Sequence, residues 1–157
     1  MGKTLFKYGR TTPIIILMGL LASPSFAEPR GHWRFVDDGT GVELRSCNTG
    51  AATLCGVITQ LPRSAAALPA EDRKALCGLV VLGDMQPAKT KEGELARLDG
   101  WADDIESMTP GGKARRYAAS VVVLSENSAR LDVRGAFGIV IDRLQLMRAL
   151  TPITDCK

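Results

Sequence analysis

From residue 31 onward, apolar and polar positions mostly alternate with a period of two, the spacing of half-buried strands. The stretch 41–61 shows it most clearly: Val42-Glu43-Leu44-Arg45 alternates, Asn48-Thr49-Gly50 supplies turn residues, and residues 54–61 form a second β-rich run. The pattern predicts a hairpin with Cys47 facing Cys55, Arg45 facing Val57 and Leu44 facing Ile58. That register gathers Val42, Leu44 and Ile58 on one buried face and leaves Gln60 on the same side.

The same reading divides the rest of the chain. Residues 31–36 predict a first strand with Trp33 and Phe35 on one face, followed by a turn at 37–41. Residues 62–75 are a connection with one helical turn near Pro69. The apolar run 76–82 reads as a buried strand, and the polar run 83–100 as a long exposed loop. A weak strand over 101–108, a turn at 109–112 and a strand over 115–125 follow. Residues 129–134 alternate cleanly, Gly135 to Gly138 breaks the pattern, and 139–148 closes the series. The apolar phase of that last strand slips near Asp142 and Arg143, which predicts a bulge. About eight strands at short spacing, with little helix, predict an all-β fold: a small antiparallel barrel or sandwich.

The first residues read as an address rather than as part of this fold. Lys3, Lys7 and Arg10 precede a short apolar run at 13–22, and Ser25-Phe26-Ala27 offers a signal-peptidase site. The expected organisation is therefore a signal peptide over 1–27 and one domain over 28–157, exported to the periplasm or secreted, with no membrane span once the leader is removed. This changes the charge picture. The three basic residues of the leader account for the whole formal charge of +3, and no Asp or Glu precedes residue 28. The remaining chain is neutral, which takes away the electrostatic basis for a nucleic-acid partner.

Cys47, Cys55, Cys77 and Cys156 contain no C-x-x-C spacing and do not suit a structural zinc site. In an oxidising compartment four cysteines imply two disulfides, with three possible pairings. The hairpin favours Cys47–Cys55, leaving Cys77–Cys156, a long closure that would stabilise by about 3–5 kcal/mol.

Candidates for chemistry are few. His32 is the only histidine, and beside an inward Trp33 it faces outward. Asp37-Asp38 and Asp103-Asp104 read as turn caps and lack calcium-loop spacing. Arg115, Arg116, Lys89 and Lys91 read as solvated charges. There is no nucleophile elbow and no phosphate-cradling loop before a helix. Neither an enzyme nor a cofactor or metal site is expected. Residues 28–157 hold five aromatics, Trp33, Phe35, Trp101, Tyr117 and Phe137. Trp101 and Tyr117 either complete the core or, with Leu131, line a pocket.

Several markers together resemble the bacterial domain-of-unknown-function family 2147. They are Gly31-His32-Trp33, Cys47, Leu54-Cys55-Gly56, Trp101, Pro110-Gly111, Tyr117, Leu131-Asp132-Val133-Arg134-Gly135 and Arg148, in that order across residues 31–148. Three positions depart from the family pattern: Met147 stands where a Trp is usual, Asp103-Asp104 replaces a Gly, and Cys77 replaces an aliphatic residue. The resemblance implies an exported, lipocalin- or calycin-like barrel of about eight antiparallel strands, and it implies no activity. It also implies that Trp33 packs at the closed end beneath Arg148 as a cation–π pair. Two functions follow as expectations. Either the interior binds a small apolar or amphipathic ligand, or the protein is an envelope module that contacts a protein partner through residues 83–100.

Overall fold

In the computed structural model, the described residues are 28–48, 52–104, 114–151 and 156. The leader read over 1–27 and the turn read at 109–112 lie outside them. Eight strands follow one another as β1 (Gly31–Phe35), β2 (Gly41–Ser46), β3 (Leu54–Gln60), β4 (Val80–Pro87), β5 (Ala96–Asp103), β6 (Arg116–Val123), β7 (Ser128–Arg134) and β8 (Val140–Arg148). Each pairs with the next in antiparallel fashion, and β8 returns to β1 to close the barrel. A 3-10 turn (Arg63–Ala67) and the short helix α1 (Ala70–Leu76) join β3 to β4. No helix among the described residues is long and apolar enough to cross a membrane.

Closure depends on a short ladder, Trp33↔Arg148, Arg34↔Met147 and Phe35↔Leu146. Arg148 continues the inward phase of Leu144 and Leu146, so its side chain enters the floor of the barrel. Its guanidinium carbon lies 4.4 Å from the centre of the Trp33 ring. The guanidinium also donates to three backbone carbonyls: Glu126 at 2.6 Å, Arg30 at 2.8 Å and Glu28 at 2.7 Å. The Trp33 indole N–H donates to the Pro29 carbonyl at 2.8 Å. One cation therefore ties the segment before β1 to the β6–β7 turn, and the buried Trp33 keeps its polar edge satisfied.

The floor is filled by Trp33, Leu44, Met85, Val123 and Leu146, each at most 1% exposed. Both disulfides are formed, Cys47–Cys55 and Cys77–Cys156. The first joins the hairpin near its turn; the second ties the C-terminal tail to the residue after α1.

Three local expectations need correction. The hairpin register differs by two residues: Arg45, not Cys47, sits opposite Cys55, and Leu44 meets Gly56. A two-residue shift keeps every side chain on its predicted face, so Val42, Leu44 and Ile58 remain inside. It also brings Leu54 into the strand opposite Ser46, where it is buried. The disulfide then runs diagonally, across a Cα separation of 4.9 Å.

The apolar run 76–82 is not one strand. Leu76 ends α1, Gly78 takes a left-handed φ of 79°, and β4 begins only at Val80. Glycine just past a helix end is the residue that permits this turn. Residues 83–100 are not a loop either. β4 continues to Pro87 and β5 starts at Ala96, leaving 88–95 as the connection. Met85 and Leu98 point inward, while Asp84, Arg97 and Asp99 point outward and give the run its polar look. The register breaks between Gly83 and Gln86, where Asp84 adopts a φ of 51°. The bulge expected in the last strand near Asp142 is present, at the adjacent Ile141, because Val133 pairs with Asp142 and Arg134 with Val140.

Replacing Arg148 with Met should lower unfolding stability by about 2–3 kcal/mol, since three carbonyls lose a charged donor. Urea denaturation of wild type and Arg148→Met measures it; equal midpoints would show that the guanidinium contributes no closure.

Candidate functional site

In an up-and-down barrel every second connection lies at the same end. The turn 36–40, the connection 61–79, the segment after Asp103 and the β7–β8 turn therefore share the end opposite Arg148. At this end the interior is not filled. A cavity of about 390 Å³ is lined by Phe35, Val81, Leu82, Ala102, Tyr117, Leu131, Val133 and Leu144 within the barrel, and by Ile141 with Asp37, Asp38, Asp103, Asp104 and Asp142 towards the rim. Asp37, Asp38, Ile141 and Asp142 are exposed, so the cavity opens to solvent. On β5 the inward residue of this lining is the small Ala102, which pairs with Tyr117 of β6. The volume is in the range of small-molecule sites.

Among the described residues, the charged side chains of the lining are all acidic. Several carboxylates already have partners. Asp38 accepts from the Thr40 backbone N–H at 2.8 Å and from its hydroxyl at 2.7 Å, holding the β1–β2 turn. Asp103 accepts a two-pronged contact from Arg116 at 2.8 and 2.9 Å. That hydrogen bond raises the Arg116 pKa above its ordinary value, ahead of the smaller opposing effect of burial. Asp142 accepts from the Arg143 backbone N–H at 2.7 Å.

The residues expected to line a pocket divide. Tyr117 and Leu131 face the cavity. Trp101 does not: on β5 it alternates with inward Ala102 and stands on the outer face. Its indole N–H donates to Asp84 at 2.9 Å, and the Arg116 guanidinium carbon lies 3.4 Å from the ring centre. The ring lies flat over Gly83, where a Cβ would collide with it. A bulky aromatic within an alternating strand has two faces to choose from, and here the glycine opposite offers the outer one. The rim aspartates were visible in the sequence as two Asp-Asp pairs. Their convergence follows only once the β1–β2 and β5–β6 connections are known to share an end.

The β7–β8 turn beside the cavity has unusual chemistry. Phe137 is 100% exposed, and Ile139 and Ile141 are 64% and 57% exposed. Leaving a phenylalanine in water forgoes about 1.5–3 kcal/mol of burial. Phe137 also takes a left-handed φ of 59° and Gly138 one of 73°, in a turn closed by the Ile139 N–H on the Ala136 carbonyl at 3.4 Å. Two consecutive positive φ angles are what Asn-Gly supplies in such turns; a Phe in the first place is strained.

A second polar cluster occupies the outer face of β5–β8. Arg97 is only 8% exposed, and Ser120 and Asp132 are also buried, although they project away from the interior. Arg97 pairs with Glu94 at 3.3 Å and Asp99 at 3.1 Å, and donates to Ser120 at 3.0 Å. Ser120 also accepts from Arg134 and donates to Asp99. Arg130 pairs with Asp132 at 2.6 Å, and this bond raises the Arg130 pKa. These groups satisfy one another across neighbouring strands, so the cluster reads as a strand-to-strand clamp. Burial alone would raise the Asp99 pKa, but the Ser120 hydrogen bond and the Arg97 and Arg134 charges outweigh it and lower it.

A broader cleft of about 700 Å³ lies between the end of β3 and the helical connection, with Arg63, Arg73 and Lys74 on its walls. Its exposed lining residues, Arg63, Ala66, Ala70, Arg73 and Lys74, all come from the helical connection. His32 lies outside the barrel, with a buried Nδ1 that has no partner. Among the described residues, no three His, Cys, Asp or Glu side chains are grouped to hold a metal ion. No family model, no curated protein and no solved structure matches this chain.

The lowered Asp99 pKa carries a pH signature. An ionised Asp99 favours the folded state above the ordinary aspartate value of about 3.9. That contribution drains away as acid takes the solution down through the lower folded value. Asp99→Asn should therefore be less stable than wild type near neutrality and converge with it in strong acid. Thermal melts across that range check this, and parallel curves would show that Asp99 is not coupled to folding.

Proposed function

We propose that this chain is an exported binding protein that holds a small amphipathic molecule in the open end of its barrel, and that it is not an enzyme. The observation that carries this reading is a solvent-connected cavity of about 390 Å³ with apolar walls, set above a fully packed floor. A closed eight-stranded barrel has room for one small ligand and little else. Tyr117 and Leu131 take the apolar body of that ligand together with Phe35, Leu82 and Leu144. Trp101 has no part in this contact.

The rim orients the ligand. With Asp37, Asp38, Asp103, Asp104 and Asp142 around the mouth and no basic side chain among the described lining residues, the site favours a neutral or cationic polar end over an anionic one. The export part of the reading is supported by the leader pattern over 1–27 and by two disulfides, which persist in oxidising compartments. The order of markers from Gly31 to Arg148, with Arg148 stacked on Trp33, supports kinship with the domain-of-unknown-function family 2147. The cavity favours a small ligand over a protein partner, and the run once read as a contact loop, 83–100, is largely strand.

Two related fluorophores test the proposal: neutral N-phenyl-1-naphthylamine and its sulfonated relative 1-anilinonaphthalene-8-sulfonate. The neutral probe should bind one per chain, with the anionic one at least about tenfold weaker. Leu131→Trp should fill the cavity and abolish binding of the neutral probe while the protein stays folded by circular dichroism. No saturable binding of either probe, or unchanged binding in Leu131→Trp, would overturn the reading.

A further inference from the structure

We propose that Phe137 is a ligand-contacting residue that closes the cavity, its ring turning from solvent onto the bound molecule at the mouth. This inference rests on the binding reading above. Both arms of the β7–β8 hairpin already form part of the cavity wall: Val133 comes from β7, and Ile141, Asp142 and Leu144 from β8. Phe137 sits at the tip between those arms, wholly exposed, with Gly135 before it and Gly138 after it.

Fold stability explains neither the residue nor its conformation. A positive-φ pair is best filled by Asn-Gly, and an exposed turn is best filled by polar residues. Phe137 is costly on both counts, and its side chain touches no part of the core cluster. The two costs share one remedy. A change of backbone angle at 136–138, taken up by the flanking glycines, releases the left-handed strain at Phe137. The same change lets the ring cover an apolar occupant between Ile141 and Tyr117. An empty cavity gives the ring little to pack against, so the open form is the resting one and an occupant shifts the balance. Exposed Ile139 and Ile141 continue the apolar surface from the tip down to the mouth, along the path the ring would take.

Phe137→Asn separates this role from a structural one, because asparagine suits the turn and lacks the ring. The variant should melt at or above the wild-type temperature. Stopped-flow displacement of bound N-phenyl-1-naphthylamine should show its release accelerated by about tenfold, with association little changed. Phe137→Leu, which keeps an apolar side chain, should release the probe at an intermediate rate. If wild type binds the probe and Phe137→Asn releases it at the wild-type rate, the closing role is wrong and the cavity reading stands. If wild type does not bind the probe at all, both fall. If Phe137→Asn leaves release unchanged but turns a wild-type dimer into a monomer by sedimentation, the ring belongs to a contact between copies, and the proposal is overturned.

Discussion

A barrel of consecutive strands is held as a barrel by one seam, and here the seam is β1 against β8. Only three register pairs define it, fewer than the eight between β5 and β6. What the ladder lacks in length, Arg148 supplies in chemistry. A planar guanidinium can lie on an indole face while its N–H groups reach carbonyls at the edge, which an ammonium cannot do at once. Arg148 does both, and it reaches backbone on either side of the seam. The segment at 28–30 would otherwise have no sheet partner; here its carbonyls are acceptors for the same cation.

The asymmetry between the two ends follows from that contact. At the Arg148 end, Trp33 occupies the cross-section of the barrel and leaves no room. At the other end β5 brings only the small Ala102 to the lining, opposite Tyr117 of β6, and a cavity of about 390 Å³ remains between the strands. The Arg148 end is packed, and the opposite end retains the cavity. The outer face of β5–β8 reinforces the division. Its arginine–aspartate clamp runs from β5 through β6 and β7 to β8, where Arg143 pairs with Asp132 at 3.7 Å, and contributes no side chain to the interior.

Much of this was legible from the chain alone. Alternation identified the strands, and the cysteine positions identified both bridges, including one that joins residues 79 apart in sequence. Leu131 was legible because residues 129–134 alternate cleanly; Tyr117 leads a run, Ala118 to Val123, that is largely apolar on both faces, and the closed barrel assigns its phase. Trp101 was not legible, because its strand carries glycine and alanine on the inner side and gives an aromatic no clear preference. The strands over 83–87 and 96–100 were hidden for a related reason. Their outer residues are charged, and a bulge at Asp84 breaks the alternation that would have revealed them.

Local pattern thus determined the inward faces of β1, β2 and β7, an all-β fold of about eight strands, and that sulfur bridges would pin it, since facing depends only on a period of two within each strand. Tertiary structure decided the hairpin register, the side taken by Trp101 and the gathering of five aspartates at one mouth. Those depend on how strands slide against one another and on which connections share an end of the closed barrel. Such relations arise between distant segments, and no single stretch of sequence contains them.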